Sequence, residues 1–259
     1  MSGQRLAIGV DVGGSGVKGA PVDLDRGELT EDRYRIDTPV PSTPEAVSDV
    51  IQQVIEHFDV DPGTPIGVTV PGVVTRGVVR TAANIDKSWI GTDIEALLEQ
   101  RLQRDIVVVN DADAAGVGEL TFGAARGQDG LVIVTTLGTG IGSALLYDGV
   151  LVPNSELGHL EIDGHDAETR AASSVKTKEG LSYPEWATRL QRYYSHLESL
   201  LWPDLFVVGG GVSRKSEKFI PLLDLRTPIV PAMLRNTAGI IGAGVLAASA
   251  QARHGRHTG

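Results

Sequence analysis

Residues 6–22 read LAIGVDVGGSGVKGAPV, an apolar run that ends at Asp11, then a glycine turn, then a second apolar run. This order predicts a strand, a tight turn and a return strand. The same arrangement recurs at residues 131–147, where LGTGIG (137–142) joins two strand-like runs. Because the second unit follows the first by about 125 residues, the repeat predicts two related α/β lobes. Glycine hairpins are common, so a chance repetition is the alternative.

The rest of the chain alternates between helical and strand-like patterns. Pro44 to Phe58 has apolar residues at helical spacing, with Thr43 as the predicted N-cap and Pro44 at the first helical position. The tail after Gln251 is predicted to be loose. The further predicted helices cover residues 93–102, 112–120, 183–201 and 236–250, and the further predicted strands cover residues 33–38, 66–70, 106–109 and 205–208.

The composition is that of a soluble protein with a substantial core, since 41% of the 259 residues are hydrophobic and 22% are charged. The chain has no cysteine, which excludes disulfides, thiolate zinc sites, iron–sulfur ligation and a cysteine nucleophile. This composition suits a reducing, cytoplasmic location. No run is long enough to span a membrane, and residues 1–5 lead directly into a strand, so we expect neither a membrane span nor a signal peptide.

The charge balance is acidic, with 23 Lys and Arg against 33 Asp and Glu and a formal net charge of -10. Such a chain is not expected to bind nucleic acid non-specifically. If it binds a polyanion, its positive charge must be local. Two segments could supply that charge, one with Lys176 and Lys178 and one with Arg214, Lys215 and Lys218. The alternative is that both segments are ordinary solvated surfaces.

The first glycine turn has the composition of an anion site, because residues without Cβ atoms let backbone N–H groups converge on a phosphate. Lys18 adds a point charge, and Asp11 at the strand end could hold Mg²⁺ through water. The turn leads into a strand and lacks a Gly-Lys-Ser/Thr ending, so it is neither a P-loop nor a dinucleotide-binding fingerprint. The alternative is a hairpin with a solvated lysine. The turn residues are Gly13, Gly14, Ser15 and Gly16.

The second turn repeats this pattern, with Gly138 and Gly140 as backbone donors and Thr139 as a hydroxyl donor. Two such turns that grip one phosphate chain would suit phosphoryl transfer, in which positioning and charge neutralisation supply most of the catalysis. The repeated turn therefore favours an enzyme that handles phosphates.

Two polar pairs are candidates for the reaction itself. Asn110 and Asp111 fall at the end of a strand and the start of a helix, where an ionised carboxylate is favoured and can act as a general base. The alternative is that Asp111 or Asp113 only caps the helix. Glu156 and His159 can form paired hydrogen bonds with the neighbouring hydroxyls of a sugar, or serve as two metal ligands. The alternative is an ordinary polar surface.

In combination, these motifs resemble the ROK sugar kinases of the actin/hexokinase/Hsp70 superfamily. The resemblance covers nearly the whole chain and implies an α/β, actin-like ATPase (ribonuclease H-like) fold, with two lobes and a cleft between them. The matching stretches, in the order of the family, are residues 11–18, Pro71-Gly72, Asn84, residues 110–113, residues 137–142, residues 156–159 and Gly209 to Gly211.

The chain departs from most of the family in one place. Typical members carry a zinc motif of closely spaced cysteines after the Gly-His element, but residues 161–178 contain none, so we expect no zinc. The zinc-free form with KEGLSYPEWA (178–187) and LLWPDLFVVGGG (200–211) resembles the actinobacterial polyphosphate glucokinases within the family. The resemblance implies that glucose is phosphorylated at its 6-hydroxyl by inorganic polyphosphate, and also by ATP, in a Mg²⁺-dependent, cytoplasmic homodimer.

The resemblance also assigns roles to residues. Asp111 would be the base that deprotonates the sugar hydroxyl, and Asp11 would position Mg²⁺. The implied sugar contacts are Gly72, Asn84, Asn110, Asp111, Glu156, His159 and Glu168, the last with a register that is off by about one residue. The implied donor contacts are the two turns together with Gly209, Gly210 and Gly211. Charge alone, without the family, makes Lys176, Lys178, Lys215 and Lys218 candidates for polyphosphate contacts.

The implied division of the chain has an N-terminal lobe at residues 1–111, with the first turn, sugar contacts and the base at its end. Residues 112–259 form the C-terminal lobe, with the second turn, Glu156, His159 and the nucleotide-side glycines, and the C-terminal helix is a candidate to pack back on the first lobe.

Other classes remain open as alternatives. The first is a strictly ATP-dependent hexose kinase for glucose or mannose, or an N-acetylhexosamine kinase, although the missing zinc motif speaks against the amino sugar. A sugar-responsive repressor would need a DNA-binding domain, for which the sequence before residue 11 leaves no room. A chaperone- or filament-type ATPase is disfavoured by the chain length and by the sugar element at Glu156 and His159.

Overall fold

The computed structural model describes residues 5–82 and 85–257, and side chains as far as His254. The chain divides into two compact units, one formed by Met1–Gly118 with Thr237–Gly259 and the other by Glu119–Asn236. The predicted boundary after Asp111 and the division at Gly118 both fall on one helix, Asp111–Phe122. No helix in the described part of the chain combines the length and the apolar character needed to cross a membrane.

The elements alternate between strands and helices along the chain. Up to residue 122 they are β1 (Leu6–Gly13), β2 (Gly16–Asp23), β3 (Glu28–Leu29), β4 (Tyr34–Ile36), α1 (Pro44–Glu56), β5 (Ile66–Val70), β6 (Val74–Thr75), β7 (Val78–Val79), a 3-10 helix (Lys87–Trp89), α2 (Ile94–Leu102), β8 (Ile106–Asn110) and α3 (Asp111–Phe122). After residue 122 they are β9 (Leu131–Leu137), β10 (Ile141–Tyr147), β11 (Val150–Val152), a 3-10 helix (Leu157–His159), β12 (Glu161–Ile162), β13 (His165–Asp166), α4 (Glu168–Ala171), α5 (Ser173–Lys178), α6 (Tyr183–Leu201), β14 (Leu205–Gly209), 3-10 helices (Gly211–Lys218 and Ile220–Leu222), β15 (Ile229–Pro231), a 3-10 helix (Arg235–Thr237) and α7 (Ala238–His257).

The sheet of the first unit has the strand order β3-β2-β1-β5-β8, with β4 also paired to β2. Strand β1 is antiparallel to β2 and parallel to β5, and β5 is parallel to β8. All five residues of β5 are buried, as expected for a central parallel strand that is covered on both faces. The continuous apolar run at 66–70 therefore marks the centre of this sheet.

Helix α7 packs against β1 and β5, and small residues on the strands permit this close approach. A Cβ atom on Gly9 would overlap the carbonyl oxygen of Ile240, and a Cβ atom on Gly67 would overlap that of Ala243. Any larger residue at either position would push the helix away from the sheet. The helix continues to His257, so the prediction of a loose tail after Gln251 is wrong for the described backbone.

The sheet of the second unit has the strand order β11-β10-β9-β14-β15. Its strands β10, β9 and β14 repeat the arrangement of β2, β1 and β5 in the first unit. Strand β9 is antiparallel to β10 and parallel to β14, as β1 is to β2 and β5. The predicted repeat of strand, glycine turn and strand is therefore confirmed. Helix α6 covers this sheet with fully buried aromatic and aliphatic side chains, among them Trp186, Leu190, Tyr193, Tyr194 and Leu197.

Helices α1 and α6 begin at residues whose side chains cap the helix N-terminus. The hydroxyl of Thr43 accepts a hydrogen bond from the Ala46 N–H, and Pro44 is the first residue of α1, as predicted. Ser182 and Glu185 form a capping box at the start of α6. These caps fix where each helix begins, and thereby the position of the loops that precede them.

Candidate active site

The first glycine turn is the hairpin between β1 and β2. Gly13 pairs with Gly16, which leaves Gly14 and Ser15 exposed at the tip. The Thr38 hydroxyl donates to the Gly13 carbonyl at 2.5 Å. The Arg35 guanidinium donates to the Ser15 carbonyl at 2.7 Å and lies beside the Gly16 backbone. The turn is therefore held from the β4 side, with a positive charge next to it.

Asp11 lies on β1 directly before this turn and is opposite Lys18 on β2. Its Oδ1 accepts a hydrogen bond from the buried Thr69 hydroxyl at 3.0 Å, and its Oδ2 is 3.9 Å from the Lys18 Nζ. The carboxylate is about one-third exposed. One oriented carboxylate that remains open to water fits Mg²⁺, which is usually held by one or two carboxylates together with waters and substrate phosphates.

Asn110 and Asp111 lie where β8 ends and α3 begins. The buried Asn110 side chain caps the helix, because its Oδ1 accepts from the N–H groups of Ala112 at 2.8 Å and Asp113 at 3.0 Å. Its Nδ2 donates to the Gly72 carbonyl at 3.1 Å. Asp111 is the half-buried first residue of the helix, where the macrodipole favours a negative charge. Asn110 thus supplies most of the cap, and the Asp111 Oδ1 also accepts from the Ala112 N–H at 2.8 Å, so part of the capping role expected as the alternative for Asp111 is present.

Gly72 lies in the loop after β5, and a Cβ atom there would overlap the Thr81 carbonyl. The hydrogen bond between its carbonyl and Asn110 joins the ends of two neighbouring parallel strands. The carboxyl ends of such strands form the usual ligand-binding edge of a parallel sheet. Asn84, the other predicted sugar contact of this region, lies outside the described residues.

In the second unit, Glu156 and His159 occupy a short segment anchored to β10. The buried Ser143 hydroxyl accepts from the Leu157 N–H at 2.9 Å and donates to the Ser155 carbonyl at 2.8 Å. The segment is a 3-10 helix, Leu157–His159. It brings the Glu156 Oε2 within 3.8 Å of the His159 Nε2, so the two side chains lie on the same face of the segment.

Three carboxylates, those of Asp166, Glu168 and Glu156, raise the pKa of the His159 imidazole. Its Nδ1 is 2.9 Å from the Asp166 Oδ2, and this hydrogen bond raises the pKa of the imidazole above its ordinary value, opposed by partial burial. Burial raises the pKa of the Glu156 carboxyl, and the nearby Glu168 acts in the same direction, while His159 opposes both. Because Nδ1 is engaged with Asp166, Nε2 is the nitrogen left to face a ligand.

Glu168 opens α4 and joins this group to the second glycine turn. Its Oε2 accepts from the Ile141 N–H at 2.9 Å, and the Gly140 backbone packs against the same carboxylate. The Thr139 carbonyl accepts a hydrogen bond from the Ser174 hydroxyl at 2.6 Å, and the Gly138 carbonyl accepts from the Ser174 N–H at 3.0 Å. The turn is thereby fixed to the starts of both α4 and α5.

His159, Asp166 and Glu168 each place one ligand-type atom within 4.8 Å of the others. Protein hydrogen bonds already use these groups, since Asp166 accepts from His159 and Glu168 accepts from the Ile141 backbone. The set has one nitrogen and no thiolate, which is not the donor set of the family's cysteine-rich zinc site.

The triple glycine segment follows β14, beside the end of β9. Gly209 pairs with Thr136, and Gly210 has φ 81° and lies so close to Leu137 that a Cβ atom would not fit. Gly211 starts the 3-10 helix Gly211–Lys218. Two of the four predicted lysines, Lys176 and Lys218, have their ammonium groups over the ring of Tyr183, at 4.3 Å and 5.6 Å from its centroid. Lys178 and Lys215 are exposed.

Sequence reasoning missed the residues that support these groups, among them Arg35 at the first turn, Thr69 on Asp11, Asp166 on His159 and Tyr183 under the two lysines. Thr69 carried a usable signal, because it is the single polar side chain in the predicted buried strand at 66–70. Asp166 and Tyr183 carried none, because their partners are brought to them by loop conformation.

Comparison with known proteins gives a consistent result. Residues 7–175 match the model of the ROK family. The chain is 54% identical over 241 residues to a polyphosphate glucokinase of Mycobacterium tuberculosis (strain CDC 1551 / Oshkosh). The aligned region covers 93% of this chain and 90% of the relative.

Two solved structures of other proteins have the same fold as this chain. An inorganic polyphosphate/ATP-glucomannokinase from Arthrobacter sp. strain KM matches with a TM-score of 0.90 and 53% identity, covering 94% of this chain and 98% of that one. A ROK family glucokinase from Streptomyces griseus in complex with glucose and AMPPNP matches with a TM-score of 0.79 and 26% identity, covering 94% and 99%. The expected α/β, actin-like fold is confirmed.

Proposed function

Because this chain belongs to the ROK family, we propose that it transfers a phosphoryl group from inorganic polyphosphate, and also from ATP, to the 6-hydroxyl of glucose. The observation that carries the proposal is the 54% identity with a polyphosphate glucokinase over 93% of the chain. The geometry of each unit is compatible with it, since each has a glycine hairpin at the start of its sheet and a group of polar side chains for a substrate.

Asp111 is the general base of this mechanism. Its carboxylate takes the proton of the sugar 6-hydroxyl, and the sugar oxygen forms a bond to the terminal phosphorus of the donor. The bond from that phosphorus to the bridging oxygen breaks, and the donor leaves shortened by one phosphate. The helix N-terminus favours the negative charge of the base, and the Asn110 cap fixes the start of the helix that carries it.

The remaining hydroxyls of glucose are assigned to the other predicted sugar contacts. Glu156 and the His159 Nε2 take neighbouring hydroxyls, and Asp166 keeps the imidazole in the required orientation. Glu168, whose charge raises the pKa of the nearby Glu156, is assigned to the sugar hydroxyls as well. In the first unit, Asn110 and the Gly72 backbone contribute, although the hydrogen bonds that Asn110 already makes leave it one unused N–H.

The donor phosphates are assigned to the two glycine turns and to Gly209–Gly211, where backbone N–H groups can be directed at an anion. Asp11 would hold Mg²⁺, with Lys18 beside it. When bound, Mg²⁺ neutralises phosphate charge and favours attack at phosphorus. The proposal includes a cytoplasmic location and a homodimer, as the resemblance implies, and size-exclusion chromatography with light scattering tests the dimer.

A strictly ATP-dependent hexose kinase is the second candidate. A specific observation also adds a second candidate for the sugar that accepts the phosphoryl group. One structural match is a glucomannokinase, so mannose is a candidate beside glucose. Initial rates with polyphosphate and with ATP, each with glucose and with mannose, separate these functions. Activity with ATP but none with polyphosphate would leave the ATP-dependent kinase, and no activity with either donor would reject the proposal.

A further inference from the structure

Two lysines from different segments meet on one aromatic ring in the second unit. Lys176 on α5 has its Nζ 4.3 Å from the centroid of the Tyr183 ring, and Lys218 at the end of a 3-10 helix has its Nζ 5.6 Å from it. Both distances are within the range of a cation–π contact. The two ammonium groups are therefore less than about 10 Å apart.

The ring that joins them is held in place. Tyr183 is the first residue of α6, directly after the Ser182 of the capping box. Its ring stacks against that of the buried Phe219, with centroids 6.4 Å apart and planes 8° from parallel. The side chain is half-buried. A fixed ring limits the positions of two otherwise flexible lysine side chains.

Neither lysine of this cluster forms an ion pair with a described carboxylate. In the described part of the chain, no carboxylate oxygen lies within 4.0 Å of either ammonium group. This is notable in a chain with a formal net charge of -10, where acidic residues outnumber basic ones. Two neighbouring unpaired cations attract an anion that carries several charges.

The cluster is connected to the second glycine turn. Strands β9 and β14 are parallel, so the turn at residues 138–140 and the glycine segment after Gly209 leave the same edge of the sheet. Helix α5 is fixed to that turn through Ser174, two residues before Lys176. The segment that carries Lys218 starts at Gly211. Both lysines thus lie on elements that extend from the proposed donor site.

We propose that Lys176, Tyr183 and Lys218 form a binding site for phosphate groups of the polyphosphate chain beyond the one that is transferred. This inference rests on the proposed function. The two ammonium groups neutralise separate phosphates of the chain, and the ring holds them at a fixed spacing. The site binds and positions the donor and has no part in the proton transfer. It favours long polyphosphate over ATP, which has no phosphates beyond its own three.

The test compares two double variants with the same loss of charge. In Lys176→Gln/Lys218→Gln, the KM for long-chain polyphosphate should rise about tenfold, while the KM for ATP and both kcat values stay within about twofold. Lys178→Gln/Lys215→Gln removes two charges from the same two segments but keeps both lysines that contact the ring, and should raise the polyphosphate KM less than about threefold, as a general charge effect. An equal rise of the polyphosphate KM in the two double variants would overturn the proposed binding site at Lys176, Tyr183 and Lys218.

The ring is tested separately. Tyr183→Leu keeps both lysines and should raise the polyphosphate KM about threefold, whereas Tyr183→Phe keeps the aromatic face and should match the wild type. The salt dependence is a second readout: the slope of log KM against log salt for polyphosphate should fall by about 1.5 in Lys176→Gln/Lys218→Gln, because two ionic contacts are lost. An unchanged slope would contradict direct phosphate contacts.

Failure of this inference differs from failure of the proposed function. Calorimetric titration with polyphosphate, in the absence of glucose, measures the site without turnover. If the wild type binds polyphosphate and Lys176→Gln/Lys218→Gln binds it about tenfold more weakly, the site stands even when glucose is not phosphorylated. If both bind equally, the site is rejected even when polyphosphate is a donor. Thermal unfolding of each variant confirms that it is folded.

Discussion

Replacing Asp111 by Asn tests the proposed base with little disturbance of the fold. The substitution keeps the size of the side chain and removes its negative charge. The cap of α3 is retained, because the Asn110 Oδ1 accepts from the N–H groups of Ala112 and Asp113. What is lost is the attraction between one half-buried carboxylate and the helix N-terminus, which is about 0.3–1 kcal/mol. The Tm should therefore fall by no more than about 4 °C.

The catalytic effect should be much larger than the structural one. A positioned general base accelerates proton transfer by about 10²–10⁴, so Asp111→Asn should lower kcat at least about 100-fold with either donor. This corresponds to about 2.7 kcal/mol in the activation barrier. The glucose Kd should change less than about threefold, because the amide can still hydrogen-bond the 6-hydroxyl.

The assay follows glucose 6-phosphate through a coupled dehydrogenase, with glucose binding measured by calorimetry. Glu45→Gln is the matched control, since Glu45 is an exposed carboxylate in the first turn of another helix, α1. It removes the same charge from the same kind of position and should retain full activity. If Asp111→Asn keeps kcat within tenfold of the wild type, or if Glu45→Gln loses as much, Asp111 is not the base.

Three other perturbations give distinct outcomes. Asp166→Asn should return the raised pKa of His159 toward its ordinary value, as followed by NMR, and the stabilisation that it removes should be present near pH 6 and vanish as pH rises through that pKa. Calorimetric glucose affinity should fall as pH falls through the raised pKa of Glu156, and a flat profile would exclude this carboxylate from sugar binding. Gly67→Ala should cost about 1–3 kcal/mol in chemical denaturation, because its Cβ meets helix α7, whereas Gly63→Ala, with open space around it, should be neutral.

Local sequence patterns were sufficient to predict the strands and helices next to the candidate site. The buried strand at 66–70 was predicted with its observed bounds, because a continuous apolar run between turn signals has few other interpretations. The start of α1 followed from Thr43 and Pro44, whose effect on the backbone is local. The end of α7 was missed, because a run of small and polar residues carries no clear stop signal.

The sequence by itself determined the repeated glycine hairpins, the position of Asp111 after a strand and before a helix, and the family. These follow from neighbours in the chain and from the order of motifs. Only the tertiary structure decided that Asn110 supplies the cap of α3, that Asp166 orients His159, and that Lys176 and Lys218 share the ring of Tyr183. Such pairs depend on how loops and helices pack, because residues far apart in the chain meet only when strand pairing and burial bring their segments together.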